Sequence, residues 1–116
     1  MPSTTSYRRG DIVLVSFPFT DLTSTKRRPA LVISPDVFNR LNGDLVLVAI
    51  TSQLSPVPFS VPVLPADCEG GALPKESIVK VTKMFTLSSA LIAKRLCRVS
   101  GQKQNQILAS LRDLFS

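Results

Sequence analysis

The hydrophobic period of this chain changes only once. From residue 11 to residue 100 the apolar residues come in short runs rich in Val and Ile, separated by prolines, glycines and polar clusters. After that, Ile107, Leu108, Leu111, Leu114 and Phe115 fall at i, i+1, i+4, i+7 and i+8, which is one apolar stripe of a helix. Several short strands followed by a single terminal helix, in 116 residues, leave room for one small core. The predicted fold is mainly β: a small, curled sheet or partial barrel with the helix packed against it. There is no repeat, low-complexity segment or second domain, so residues 9–116 are expected to form one domain behind a flexible tail at 1–8.

The runs place the elements. DIVLVSF, at 11–17, predicts the first strand, opened by the turn residues Gly10 and Asp11. PFTDLTSTK follows, a loop long enough in so small a β domain to point to function. RPALVIS, at 28–34, predicts the second strand; Pro29 has no N–H and belongs at a strand start or an edge. PDVFNRLNGD predicts a turn of helix closed by Asn42-Gly43. Residues 44–53 are apolar almost throughout, so the third strand is expected to be buried on both faces. A fourth strand is expected at 58–64, on an edge because of Pro62, followed by the loop PADCEGGALPKE. Residues 77–87 predict a fifth strand, with Ile78, Lys80, Thr82 and Met84 on one face and Val79, Val81, Lys83 and Phe85 on the other. A short strand at 95–100 precedes the helix, which Ser100 can cap.

Composition narrows the chemistry. The net charge is +6, which favours a polyanionic partner, and the basic residues gather at 26–28 and 75–98. No apolar run approaches the roughly 18 residues of a membrane span, and the N-terminus has no apolar h-region. A soluble, cytoplasmic protein without a membrane partner is expected. There is no histidine, and Cys68 and Cys97 lack C-x-x-C spacing. That argues against structural zinc and for two reduced, mostly buried thiols.

The missing histidine also excludes the His-pair mechanism of many ribonucleases and any Ser-His-Asp triad. The eight acidic residues show no D-x-D or E-x-x-E pairing, so a two-metal site is not expected. Gly70-Gly71 is not followed by Lys-Ser/Thr, so there is no phosphate loop. No metal or cofactor is expected. Arginine, lysine and hydroxyls remain, and these suit the stabilisation of charge on a phosphorane-like transition state.

Two polar groups then stand out. Lys26-Arg27-Arg28 sits at a loop–strand junction, where Pro29 and the apolar run behind it fix the position of Arg28. Thr51-Ser52-Gln53 ends the most apolar run in the chain. The plain structural alternative is that both are strand ends passing into solvent.

The fragments GDIVLVSFPFTD, RRPALVISPDVFNR, LVAITSQ and ESIVKVTKMFTL, in this order, resemble the MazF/PemK toxin family of bacterial toxin–antitoxin modules. Each is weak alone; together they span nearly the whole chain. The resemblance implies a small SH3-like β-barrel of CcdB/MazF type with a C-terminal α-helix. It implies a homodimer, metal-independent cleavage of single-stranded RNA and neutralisation by a cognate antitoxin, with DNA contacted only through the antitoxin complex. Carried over by motif, the catalytic residues are Arg28 and Thr51, and Gln53 matches the family's glutamine.

In such a site the 2′-OH attacks the adjacent phosphorus, the 5′-OH leaves, and a 2′,3′-cyclic phosphate remains. Arginine is a poor general base, so the base is left open, with Lys26 as a candidate helper. Phe19 is a candidate platform for an unpaired base, with core packing as its alternative. Arg27 and Lys83 are candidates for holding the RNA backbone, and Ser52 and Gln53 for substrate binding. One departure stands out: FPFTDLTSTKR, before Arg28, has neither the glycines nor the Ser-Glu-Gln segment of many members. Two other readings follow, a binding module of the same fold that does not cut and a gyrase-poisoning toxin acting through its C-terminal helix.

Overall fold

The computed structural model describes residues 6–17, 26–55 and 57–116. Among them, seven strands form one antiparallel sheet: β1 (Asp11–Phe17), β2 (Lys26–Val32), β3 (Asp44–Thr51), β4 (Ser60–Val63), β5 (Cys68–Glu69), β6 (Ser77–Ser88) and β7 (Ile92–Val99). Two helices accompany it, α1 (Asp36–Asn42) and α2 (Gly101–Leu114). The strand order is β4-β6-β3-β2-β1-β7-β5. The expected mainly β fold with a C-terminal helix is present, as a sheet curled into a half-barrel. Among the described residues no helix is long and apolar enough to cross a membrane.

The central strands are buried on both faces, and side-chain alternation divides them between two cores. Ile12, Leu31, Val48 and Ile50 join the larger core, where Ile107 and Leu111 of α2 pack on them. Val13, Val15, Ala30, Val32, Leu45 and Leu47 fill a second core, with Ile92 and the half-buried Tyr7, Phe85 and Leu87. The expected burial on both faces is found over residues 45–50, whereas Ser52 and Gln53 are exposed. The helix stripe is also in place, except that Phe115 at its end is 74% exposed. Ser100 caps α2 as expected, its hydroxyl oxygen accepting from the Lys103 N–H at 3.2 Å. Gly43 ends α1 in the left-handed region at φ 69°, where a Cβ is costly.

Asp11, which opens β1, is fully buried. Its Oδ2 accepts from the Arg8 N–H at 2.9 Å. Its Oδ1 lies 3.8 Å from a guanidinium nitrogen of each of Arg95 and Arg98 on β7. Two of the basic residues between 75 and 98 thus answer an internal carboxylate. Cys68 and Cys97 are free thiols, Cys97 buried and Cys68 half-buried.

Several boundaries differ from expectation. The second strand begins at Lys26 and ends at Val32, so Pro29 lies inside it. The third strand stops at Thr51, leaving Ser52 and Gln53 beyond it, and the fourth is trimmed to Ser60–Val63. Pro62 is on an edge strand, as its missing donor requires. The expected loop at 65–76 contains a 3-10 turn at Pro65–Asp67 and the short β5, which pairs with β7. Strand β7 starts at Ile92, earlier than expected, because its pairing with β1 extends back to Val15.

The alternation expected along 77–87 is broken. Val48 pairs with Met84 but its neighbour Ala49 pairs with Lys80, so Val81, Thr82 and Lys83 form an irregularity that bends β6. Its first residues are buried, and past the bend it becomes mostly exposed. A second irregularity matters more for function. Ile12 pairs with Cys97 and Val13 with Arg95, which leaves Leu96 as the extra residue of β7.

Candidate active site

The site begins where two strands part. Strand β2 pairs with β1 from Lys26 to Leu31, but its described pairing with β3 covers only Ala30–Val32. The backbone explains why. The Val32 carbonyl accepts from Gly10 on the β1 side, and the Ile33 N–H donates to Val46 on the β3 side. Backbone groups alternate along a strand, so residue 29 turns its own toward β3. That residue is proline, which has no N–H to donate. The β2–β3 ladder ends one residue before it.

The last described pair is Ala30 with Ala49; extended as a count only, that register would bring Pro29 level with Ile50 and Arg28 level with Thr51. Directly opposed residues share a face, so Arg28 and Thr51 belong to one side of the parted strands. A cleft of about 380 Å³ opens there, lined by Arg27, Arg28 and Pro29 from β2 and by Ile50, Thr51 and Ser52 from the end of β3.

The far wall comes from the segment between β5 and β6. Leu96, the extra residue of β7, lines the cleft beside Leu14, and its carbonyl accepts from the Ala72 N–H at 3.2 Å. Gly71 lies so close that a Cβ there would sit 1.9 Å from the Leu96 oxygen, with φ at +154°, so only glycine fits. From this anchor the chain runs through the buried Leu73 to Pro74 and Lys75, which line the cleft. It enters β6 at Ser77, whose neighbour Ile78 pairs with Thr51.

Charge in the cleft has one sign. Arg27, Arg28 and Lys75 line it, and no acidic residue is among the described lining residues. Thr51 is half-buried, and its Oγ1 accepts from the Gln53 N–H at 3.1 Å. With that lone pair used, the hydroxyl proton points elsewhere and is available to a ligand oxygen. Gln53 and Ser52 are exposed, and Gln53 takes part here through its backbone. The arrangement can grip an anion beside apolar walls and hydrogen-bond it from a positioned hydroxyl.

Of the residues singled out in the sequence, Arg27, Arg28, Thr51 and Ser52 come together in the cleft. Lys83 is exposed in the bend of β6 and is outside the lining. Lys26 opens β2, and Phe19 lies outside the described residues. Lys75 and Ser77 were missed. Lys75 looked like one cation in a basic span, and only the bulge at Leu96 carries its segment to the cleft.

The family model described as PemK-like, MazF-like toxin of type II toxin–antitoxin system matches residues 8–115. Endoribonuclease MazF2 of Mycobacterium bovis and endoribonuclease MazF6 of Mycobacterium tuberculosis are each 32% identical over 90 residues, covering 75% of this chain and 76% of theirs. A MazE–MazF crystal structure from Deinococcus radiodurans superposes with a TM-score of 0.80 at 24% identity, covering 97% of both chains. An endoribonuclease with its cognate antitoxin from a mycobacterial species gives 0.76 at 21% identity, over 97% of this chain and 95% of that one. These two structures bear on the fold alone.

Proposed function

We infer that this chain, which belongs to the PemK-like, MazF-like toxins of type II toxin–antitoxin systems, cuts single-stranded RNA in the cleft where β2 and β3 part. One observation supports this: Arg28 and Thr51, from the parted ends of β2 and β3, line one cleft whose described charges are all positive. The endoribonuclease names of its mycobacterial relatives support the same reaction class.

The scissile phosphate lies between the two residues. Arg28 takes its non-bridging oxygens with the guanidinium fork, and Thr51 donates its hydroxyl to the same group. Both interactions strengthen as negative charge builds in the transition state. The 2′-OH of the preceding ribose attacks phosphorus in line, giving up its proton to solvent, the bond to the 5′-oxygen breaks as that oxygen takes up a proton from solvent, and the products are a 2′,3′-cyclic phosphate and a 5′-OH end. Phosphorus and oxygen valences balance without water or metal, since the nucleophile is part of the substrate. DNA lacks that hydroxyl and is not cut. The apolar walls, Leu14, Pro29, Ile50 and Leu96 among them, suit unstacked bases better than a duplex. Residues 9–116 act as one domain in a homodimer, in the cytoplasm, and a cognate antitoxin holds the toxin inactive.

The test is incubation of the pure protein with a mixed-sequence single-stranded RNA in EDTA, followed by mapping of the ends. Cyclic phosphate ends are expected, and an all-deoxy copy of the same strand stays intact. Binding without cutting at every concentration would leave a non-catalytic binding module. Cleavage that needs a divalent metal would overturn the proposed chemistry.

A further inference from the structure

The structure points to a second phosphate grip in the same cleft, and we propose that Lys75 supplies it. This rests on the RNA-cutting reading of the cleft and adds a positioning residue to it. Lys75 would hold a phosphate next to the one gripped by Arg28 and Thr51, setting the register of the strand.

Three features single it out. First, its backbone is pinned on both sides while its side chain is exposed. Leu73 is buried in the larger core at 4% exposure, and the Ser77 hydroxyl, itself 4% exposed, donates to the Lys75 carbonyl at 2.9 Å. A buried serine spending its hydroxyl on that carbonyl fixes where the lysine stands. Second, the segment is tied down across the sheet, by the Ala72 N–H to the Leu96 carbonyl and by the close approach of Gly71. The lysine therefore starts from a rigid rim, which lowers the entropy lost when it grips a ligand. Third, Lys75 lines the cleft with Arg27 and Arg28 but comes from a different wall. Among the described residues it makes no ion pair, in contrast to Arg95 and Arg98, which face Asp11.

A lysine suits this task. Its ammonium is a compact point charge on a flexible stem and holds a phosphate without the planar match that arginine requires. An oligonucleotide that engages both grips is held at two phosphates, so the second contact tightens binding of the strand in one register without touching the reacting phosphate.

The experiment uses the full chain, with Lys75→Gln and Lys75→Arg. Cleavage of a single-stranded RNA oligonucleotide yields kcat and KM. Binding of the same strand with one 2′-deoxy residue at the cut site is followed across a series of salt concentrations. Lys75→Gln is expected to raise KM and Kd about tenfold and leave kcat within about twofold. It should lower the salt slope by about 0.7, the value of one phosphate contact on a single strand. Lys75→Arg should restore the slope. An unchanged slope and KM in Lys75→Gln would overturn the proposal while leaving RNA cleavage by the cleft intact. A fall in kcat at constant KM would also overturn it, because it would put Lys75 on the reacting phosphate. A wild-type chain that neither binds nor cuts RNA removes the reading of the cleft, and this proposal with it. Melting curves of both variants exclude misfolding, since Lys75 is exposed.

Discussion

The two halves of the β2–β3 pair share the same strands and the same register, yet they do opposite work. In one half, Ala30, Leu31 and Val32 face Ala49, Val48 and Leu47, and most of these side chains are at most 2% exposed. In the other, beyond Pro29, Arg27 and Arg28 are exposed and the ladder is gone. A single missing N–H separates core from cleft. The closed half supplies the rigidity that the open half needs, because Arg28 and Thr51 are each only two residues from the last paired position.

If that division is real, substitutions on either side of Pro29 should show different symptoms. The largest effect is expected from Arg28→Ala. Loss of one preorganised charged donor lowers kcat by about 10²–10³-fold, while urea unfolding shifts by no more than about 0.5 kcal/mol, as for a surface position. A comparable loss of stability would show that Arg28 is structural and collapse the contrast. Across the divide, Leu31→Ala should cost about 3 kcal/mol of unfolding free energy, in the range for truncating a buried leucine. Cleavage measured well below the lowered melting temperature should change little.

Thr51→Val is the sharper probe of the open half. The side chain keeps its volume and loses its hydroxyl, so kcat should fall about tenfold, the value of one hydrogen bond to a charged group. Thr51→Ser, which keeps the hydroxyl, should retain most of the activity; if it does not, the methyl is needed as well as the hydroxyl.

The smallest effect is expected in the closed, packed part of the molecule, at the fully buried Cys97. Burial, first, and the hydrogen bond to Cys68, second, raise the Cys97 thiol from 9.0 to about 12. The unfolded chain releases that proton near 9.0 and the folded chain does not, so between about pH 9 and 12 the native state holds more protons. Its contribution is complete below pH 9.0 and is lost as pH rises toward 12. Urea midpoints should therefore drift down above pH 9.0, and Cys97→Ala should flatten that drift. The same slope in both proteins would assign it to other groups.

How much of this was legible beforehand depended on the range of the interaction. Strand β1 occupies 11–17 as expected, because Val and Ile at close spacing are a local signal. The same holds for α1 with Gly43 and for α2 with Ser100. Arg28 and Thr51 were reached by motif resemblance, and nothing local to either residue indicates that they are opposed. Lys75 was out of reach: its place follows from an unpaired Leu96 on a strand some twenty residues later, and from a glycine contact at Gly71. The bend at 81–83 was likewise hidden, since a run of alternating residues gives no sign of where its partner changes register.

By itself the amino-acid sequence determined that this is a small basic β domain with one C-terminal helix and no histidine, which directs any proposed catalysis to arginine, lysine and hydroxyls. Periodicity, charge and the absence of histidine are properties of neighbours along the chain or of the chain as a whole. Only the tertiary structure decided that Pro29 faces β3, that the two strands part there, and that a distant loop folds back to close the cleft. Those depend on strand order and register, which are set by pairings between residues far apart in the chain.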